Sequence, residues 1–461
     1  MSRAPVEVAG ARVGVLGLRK SGTAVTRLLA DRGAEVYASD ISSIDAVTAA
    51  AAAIAGPRVQ VETGRHDPAR LATCDWIVTS PGIPPRADVL RDPGVAARPI
   101  YSEIEVASWF AAAPIAAVTG TNGKTTTTAL LGEVARAGGI VASVAGNIGR
   151  AFSQAVLEDP APEWYVIEVS SFQLARIAAF RPNVAVVLNL TPDHLDVYGS
   201  MADYTADKQR ITENMGHGDH LCLNAEDRSL EAFGAARPLE RHHFHRWRPV
   251  ERGAHVEGGW IALAGERDAG RVLPTESLGI PGAHNIQNAL AATLAGSLMG
   301  VSRAAIADAL AEFRGVPHRL ETVAEVGGVL FVNDSKATNV DSALVALEAF
   351  DAPLVVILGG RHKEAPYAPL APALARRGKR VLAIGEAADR IAEELGGTVA
   401  VEKLATLDRA VRRAFEIARP GDVVLLSPAC SSYDQFPGYD ERGKRFRELV
   451  AELGPRVEVA R

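Results

Sequence analysis

Short aliphatic runs recur along the chain, most of them closing on glycine, asparagine, aspartate or threonine: residues 13–16, 35–40, 76–79, 115–118, 164–169, 184–190, 221–224, 329–333, 354–360, 381–385 and 423–426. Runs of this kind, without polar alternation, mark strands covered on both faces, as in a parallel sheet between helix layers. Several of the stretches between them carry apolar residues at helical spacing. After the run at 115–118 come Ala129, Leu130, Leu131, Val134 and Ala135, which predict a helix. Another helix is expected over 201–215, where Tyr204, Ile211 and Met215 follow i, i+7, i+11 and Lys208 shares their face. Residues 250–278 break the rhythm and read as hairpin strands with glycine turns, Gly258-Gly259 among them. Helices are expected to start near Pro281 and Val340, and residues 423–436 read as a strand and a helix start. The pattern is that of an α/β chain whose length predicts roughly two to four domains.

The strand ends carry the chemistry. Thr119-Gly-Thr-Asn-Gly-Lys-Thr125 lies between a strand and a helix, so loop N–H groups and the helix N-terminus face an anion. Lys124 can reach terminal phosphates and the Thr125 hydroxyl suits magnesium. The generic phosphate-loop motif would need glycine at position 118, where this chain has valine. Residues 13–22 form a second strand, glycine turn and helix start, and a strand ends at Asp40 about twenty residues past the turn, a Rossmann separation. Arg19 stands where a dinucleotide fold needs glycine, which argues against NAD. Asp40 reads either as an acceptor for a uracil or ribose or as a strand-end turn residue.

Glu168 sits among apolar neighbours, where an ionised carboxylate needs a partner; beside a nucleotide that is magnesium, and otherwise a salt bridge. His194 follows the run at 184–190, where open α/β sheets place ligands, although a lone histidine is more often structural. Asn147 reads as a turn residue. An inward Lys208 either loses its proton readily or passes an apolar stem to let its head reach water. Lys336 and Thr338, ahead of a helix, make a carboxylate receptor through the N-terminal dipole. Arg241-His-His-Phe-His-Arg-Trp247 is read as a solvated strand or loop and not a metal site, because it is basic and lacks a carboxylate or cysteine at regular spacing.

Composition narrows the classes. A net charge of −6 argues against a general nucleic-acid binder, and no uncharged apolar run is long enough to span a bilayer. Cys74, Cys222 and Cys430 are widely spaced, as expected of reduced thiols in a cytoplasmic protein, and the N-terminal residues show no apolar signal core. Only Lys20, Lys124, Lys208, Lys336, Lys363, Lys379, Lys403 and Lys444 are lysine among 49 basic residues. In so arginine-rich a chain, a retained lysine marks a place where a guanidinium does not serve.

Taken together, these strings resemble the Mur ligase family, which includes the folylpolyglutamate synthetases. The residues that carry the resemblance are the loop 119–125, Ser80-Pro-Gly-Ile, Glu168-Val-Ser-Ser-Phe-Gln173, Asn189 with Asp193-His194, His284-Asn285 with Asn288, Pro317-His-Arg319 and Asp334-Ser-Lys-Ala-Thr-Asn339. It spans nearly the whole chain and is strongest after residue 100. It implies three domains: a Rossmann-like UDP-substrate domain over 1–112, a central P-loop-type mononucleotide-binding ATPase over 113–315, and a Rossmann-like acceptor domain over 316–461. Residues 111–114 and 314–320 are the expected linkers.

The implied reaction is ATP-dependent amide formation. The carboxylate of UDP-N-acetylmuramoyl-L-alanine is phosphorylated, and D-glutamate displaces phosphate from the acyl phosphate. Closure of the domains is expected before chemistry. Sibling activities are addition of L-glutamate to the same donor or to a folate; a regulatory ATP-binding protein is the reading from another class. The resemblance assigns ATP to Gly120, Thr121, Asn122, Gly123, Lys124, Thr125, Thr126, Asn285, Arg319 and Asp334. It assigns the UDP substrate to Lys20, Ser21, Asp40, Ser80, Gly82 and Asn147. The acceptor goes to Lys336, Thr338, Lys363 and Ser432, with Tyr439 in place of a relative's aromatic. Two magnesium ions go to Thr125, Glu168, His194 and Lys208, the last as a carbamate; Lys124, His194 and Lys208 are the implied catalytic residues. Arg361 stands where relatives often carry aspartate. A cytoplasmic monomer is expected.

Overall fold

Strand Arg12–Leu16 begins a parallel sheet whose order is Val59–Thr63, Glu35–Asp40, Arg12–Leu16, Trp76–Thr79, Ile100–Ser102. The computed structural model describes residues 5–83, 87–147, 149–193, 195–266, 268–280, 282–362 and 366–454. Reversal of strand order at Arg12–Leu16 opens a crevice at the strands' carboxyl ends, where ligands of such sheets bind. Helix Lys20–Asp31 crosses tightly over the first turn: a Cβ on Gly22 would lie 1.6 Å from the Gly17 carbonyl oxygen. Trp76, Tyr101 and Trp109 meet edge to face beneath this sheet, with ring centroids 5.2–5.9 Å apart.

A second sheet of nine strands follows, in the order Gly270–Pro274, Trp260–Ala264, Gly253–Glu257, Glu240–His245, His220–Asn224, Val184–Val187, Ile115–Thr119, Trp164–Glu168, Ala142–Gly146. Its register places Val118 beside Glu168 and Glu168 beside Gly146, so three strands end at one level. The edge formed by residues 253–274 is antiparallel, as the glycine turns predicted. Both sheets belong to one unit, Met1–Leu278 with Asn285–Phe313. Within it, helices Lys20–Asp31 and Glu103–Phe110 pack against helix Phe152–Glu158. Buried Glu103 accepts from both the backbone N–H and the hydroxyl of Ser153, at 2.6 and 2.5 Å. Glu105 accepts from Ala179 and Phe180 N–H groups, each at 2.8 Å.

The second unit, Gly279–His284 with Arg314–Arg461, is built on a six-stranded sheet ordered Glu321–Val326, Val329–Asn333, Val423–Leu426, Leu354–Gly359, Gly378–Ile384, Val401–Lys403. All but the first of these strands run parallel. Asn339 caps helix Val340–Glu348 by accepting from the Ser342 N–H at 2.8 Å.

Three expectations change. The run at 184–190 leaves the ladder after Val187, because Leu188 and Asn189 turn to brace the phosphate loop: Leu188 N–H donates to Thr119 O and Asn189 O accepts from Thr121 N–H, each at 3.0 Å. The helix expected over 201–215 is α-helical only over Met201–Gln209, then continues as a 3-10 turn, Arg210–Thr212; Ile211 and Met215 stay buried. The helix expected within 423–436 starts at Tyr439, since Pro428, a left-handed Ala429 (φ +56°) and Pro437 keep the intervening chain irregular. Among the described residues no helix is long and apolar enough to cross a membrane, and the three cysteines are free and buried.

Candidate active site

The phosphate loop is held in an open, rigid form. Gly120 (φ +148°) and Gly123 (φ +83°) take backbone conformations that side chains resist. A Cβ on Gly123 would also fall 2.5 Å from Asn288 Oδ1. Gly123 precedes helix Lys124–Ala137, so the N-terminal N–H groups of this helix open toward the loop. Asn189 clamps the other side: its Oδ1 accepts from the N–H groups of Thr121 (3.1 Å) and Asn122 (2.8 Å), and its Nδ2 donates to Asn122 O (3.1 Å). Thr126 is buried in the first turn of that helix. Asn285 and Asn288 come from helix Ala283–Leu298; Asn288 Nδ2 donates to Asn285 Oδ1 at 3.1 Å, and Asn288 Oδ1 accepts from the Thr127 hydroxyl at 3.2 Å.

Glu168 is buried at its strand end and accepts on both oxygens. Thr125 Oγ1 donates to Oε2 at 2.7 Å and Asn147 Nδ2 to Oε1 at 2.9 Å. A hydroxyl, a carboxylate and an amide thus converge beside the loop. These are hard oxygen donors of the kind magnesium takes, so the residues fit that ion. Lys124 Nζ donates to the carbonyls of Gly120 (2.9 Å) and Thr121 (2.7 Å).

Lys208 is fully buried. Its Nζ donates to Gly120 O at 2.8 Å and stands 4.7 Å from the Tyr204 ring centroid. Burial, reinforced by the charge of Lys124, drives its pKa well below the ordinary lysine value; Asp193 and Glu168 only partly oppose this. The Tyr204 hydroxyl in turn lies 3.0 Å from Thr121 Oγ1, tying the lysine's helix to the loop. The sequence thus brings Gly120–Thr126, Asn147, Glu168, Lys208 and Asn285 to one end of one sheet. His194 lies outside the described residues.

At the first sheet, Asp40 accepts from the N–H groups of Leu18 (2.7 Å) and Ser42 (2.8 Å), which fixes the turn after Arg12–Leu16. Ser80 Oγ donates to Gly17 O at 3.1 Å from the neighbouring strand end. Lys20 and Ser21 open helix Lys20–Asp31, and Gly82 is exposed. A narrow cleft lined by Ser80, Pro81, Ile83, Phe172, Gln173 and Arg176 among others lies between these turns and the second sheet.

The second unit carries its own cluster. Asp334 is buried: Oδ1 accepts from Leu320 N–H (3.2 Å) and Oδ2 from the Ser427 hydroxyl (2.9 Å). Burial pushes its pKa up to about 6, against the pull of Arg319. Arg319 itself is flanked by left-handed His318 (φ +65°) and Leu320 (φ +44°), uncommon backbone for side-chain-bearing residues. Lys336 Nζ stands 5.4 Å from the Tyr439 ring centroid, and Ser335 Oγ donates to Tyr439 O at 2.8 Å. Thr338 precedes helix Val340–Glu348 and Ser432 is buried on the 427–438 segment. Lys363 lies outside the described residues, while Arg361 is bridged to Ser431 and reaches Glu386 at 3.4 Å.

Sequence reasoning missed Arg442. Its guanidinium is buried and donates to Ser335 Oγ (2.9 Å), Ser335 O (2.8 Å), Cys430 O (3.2 Å) and Ser431 O (3.4 Å). It therefore joins the segment holding Lys336 to the segment holding Ser432. Its only sequence signal is an arginine inside an amphipathic helix, which looks like a solvated charge.

A strand–loop–helix nucleotide cradle in one unit, and lysine- and hydroxyl-bearing strand ends in the other, are the features expected of a ligase that activates an acid with a nucleotide. Family models agree: the Mur ligase MurD-like N-terminal domain matches residues 11–100, the Mur ligase middle domain 118–296, and the Mur ligase glutamate ligase domain 318–430. The chain belongs to the Mur ligase family. It is 44% identical over 450 residues to the UDP-N-acetylmuramoylalanine–D-glutamate ligase of Acidobacterium capsulatum, covering 96% of this chain and 97% of that protein. The protein of the same name from Anaeromyxobacter dehalogenans is 45% identical over 463 residues, covering 97% and 98%. The UDP-N-acetylmuramate–alanine ligase MurC of Thermotoga maritima shares the fold, with a TM-score of 0.63 at 20% identity over 96% of this chain and all of that one.

Proposed function

We propose that this chain joins D-glutamate to UDP-N-acetylmuramoyl-L-alanine at the expense of ATP, a step of cytoplasmic peptidoglycan precursor synthesis. Its relatives at 39–45% identity over nearly full length carry that activity in their names. The observation that carries the chemistry is the convergence of Lys124, Thr125, Glu168 and Lys208 on the Gly120–Gly123 loop.

A carboxylate is a poor electrophile and must be activated before an amine can attack it. The donor carboxylate oxygen bonds to the γ-phosphorus and the bond to the bridging oxygen breaks, so ADP leaves and an acyl phosphate forms. The amine of D-glutamate adds to the carbonyl carbon, loses a proton, and phosphate departs with the former C–O bond. Phosphoryl transfer asks the protein chiefly for alignment and charge neutralisation. The N–H groups opening helix Lys124–Ala137 and the Lys124 ammonium receive the phosphates. Magnesium, when bound, neutralises phosphate charge; Thr125 and Glu168 would hold one ion, and His194 with Lys208 a second.

Lys208 serves that second ion as a carbamate: the neutral Nζ adds to carbon dioxide and releases a proton, turning a base into an anionic oxygen donor. Its burial and its low proton affinity support this reading. Lys20, Ser21, Asp40, Ser80, Gly82 and Asn147 serve the UDP-sugar. Asn285, Arg319 and Asp334 serve the adenine-nucleotide side. Lys336, Thr338, Lys363 and Ser432, with Tyr439, hold the acceptor's carboxylates. The chain acts as a monomer with these domains: 1–112, 113–315 and 316–461.

Purified protein given ATP, magnesium and UDP-N-acetylmuramoyl-L-alanine should release phosphate only when D-glutamate is added, with the glutamyl product visible by mass spectrometry. Product from L-glutamate alone would move the chain to a sibling ligase. Phosphate release indifferent to donor and acceptor would refute ligase chemistry.

A further inference from the structure

The basic stretch at 241–247 is not a solvated strand. Glu240–His245 is an interior strand of the second sheet, and His242 and Phe244 are fully buried. The carboxylates absent from the regular spacing arrive by other routes. Glu240 and His242 point to one face by strand alternation, and His220 joins them from the neighbouring strand, where it pairs in register with Glu240. Glu266 comes from the loop after strand Trp260–Ala264.

The donor atoms of His220, Glu240 and His242 lie within 4.8 Å of one another, beside a buried carboxylate. His242 Nδ1 lies 2.7 Å from Glu266 Oε1, a carboxylate side chain only 6% exposed, so this nitrogen carries the proton. That tautomer leaves the lone pair on Nε2, which faces His220 Nδ1 at 3.1 Å. Glu240 Oε2 stands 4.0 Å from the same His220 nitrogen. Donors of a tetrahedral zinc ion, at about 2.0–2.1 Å from the metal, lie about 3.3 Å from one another. The two imidazoles are already near that spacing, and the half-exposed Glu240, whose oxygen lies within 4.8 Å of both nitrogens, reaches it by a side-chain movement. Its contact with Arg252, 2.9 Å from Oε2, uses one lone-pair direction of several. Carboxylate to histidine to metal is the usual outer arrangement at such centres.

The geometry points to a zinc-type transition-metal site formed by His220 Nδ1, His242 Nε2 and a Glu240 oxygen, with Glu266 orienting His242 and water completing the coordination. The site is separate from the nucleotide loop. His220 pairs with Val184, which pairs with Ala116 at the start of strand Ile115–Thr119, whereas Gly120 follows that strand's other end. Nitrogen ligands favour zinc, nickel or copper over magnesium. A bound ion would pin together the strands His220–Asn224 and Glu240–His245 and the loop bearing Glu266.

The test uses full-length, tag-free protein stripped with EDTA and dialysed against excess magnesium. Zinc is added, free metal is removed, and retained metal is counted by mass spectrometry, with cobalt(II) visible absorption as a second readout. Wild type should retain one zinc more per chain than His220→Gln or Glu240→Gln, both at partly exposed positions that tolerate exchange. Zinc should raise the melting temperature of wild type and leave that of either variant unmoved. Glu266→Gln should weaken retention by about 10–100-fold. Equal zinc in wild type and in either folded variant overturns the site, because the retained zinc then resides elsewhere.

Discussion

Lys124 and Lys208 donate to one and the same acceptor: their Nζ atoms lie 2.9 and 2.8 Å from the carbonyl oxygen of Gly120. Two ammonium groups on one buried carbonyl repel each other, and the deeper one yields its proton. Lys208 is that group, since burial and the Lys124 charge both favour its neutral form. A neutral amine is what carbon dioxide requires. Native mass spectrometry in bicarbonate buffer should therefore show an adduct of one carbon dioxide that disappears in Lys208→Arg. The guanidinium stays protonated and forms no carbamate, so turnover by this variant should fall at least about 100-fold. Turnover near wild type would remove the carbamate.

Thr125 and Glu168 make a second prediction. The 2.7 Å hydrogen bond brings the two oxygens together beside the loop. Thr125→Val keeps the shape and removes the hydroxyl. It should lower stability by roughly 1–3 kcal/mol, since buried Glu168 Oε2 loses its donor, and lower kcat by about 10²–10³-fold. The magnesium concentration for half-maximal rate should rise as well. An unchanged magnesium profile would show that Thr125 is not an ion ligand.

Lys336 and Arg442 separate binding from positioning. Lys336→Arg should raise the KM for D-glutamate and leave the KM for ATP unchanged. Arg442 is buried, and it joins the segments bearing Lys336 and Ser432 through four donated bonds. Arg442→Met strands several buried acceptors, each costing roughly 1–3 kcal/mol. The melting temperature should drop and the acceptor KM should rise, while the nucleotide KM holds. Arg442→Lys should restore stability in part. An acceptor KM that stays flat as stability falls would leave Arg442 a purely structural residue.

What could be read from the chain follows from how local each feature is. The phosphate loop was legible because strand, two glycines, lysine and helix start are contiguous, and positive φ at Gly123 admits little else. Glu168 was legible because a carboxylate in an apolar run demands a partner. The Asn189 clamp was legible only as part of a string; its hydrogen bonds to residues 121 and 122 exist because the chain leaves the sheet early. Arg442 was hidden, since Ser335 lies 107 residues away along the chain. The histidine cluster was hidden for a related reason: strand register brings His220, and a distant loop brings Glu266, to the Glu240–His242 pair.

Glu103 offers a prediction from stability alone. Its carboxyl is wholly buried and burial lifts its pKa to about 7, although Ser153 donates to it twice. The ionised form is therefore disfavoured in the folded chain relative to the unfolded one, where the group titrates near 4.5. Between those two values the folded state holds the extra proton, so stability falls as pH rises through this window and levels off above it. The difference is worth up to ~3 kcal/mol. Glu103→Gln keeps an oxygen to accept from Ser153 and removes the titration. It should melt at a higher temperature than wild type at pH 8, and the gap should close or reverse by pH 5. Parallel melting curves for the two proteins from pH 5 to 8 would show that Glu103 stays ionised, and that the donors at Phe152 and Ser153 suffice to hold a charge between the first two sheets.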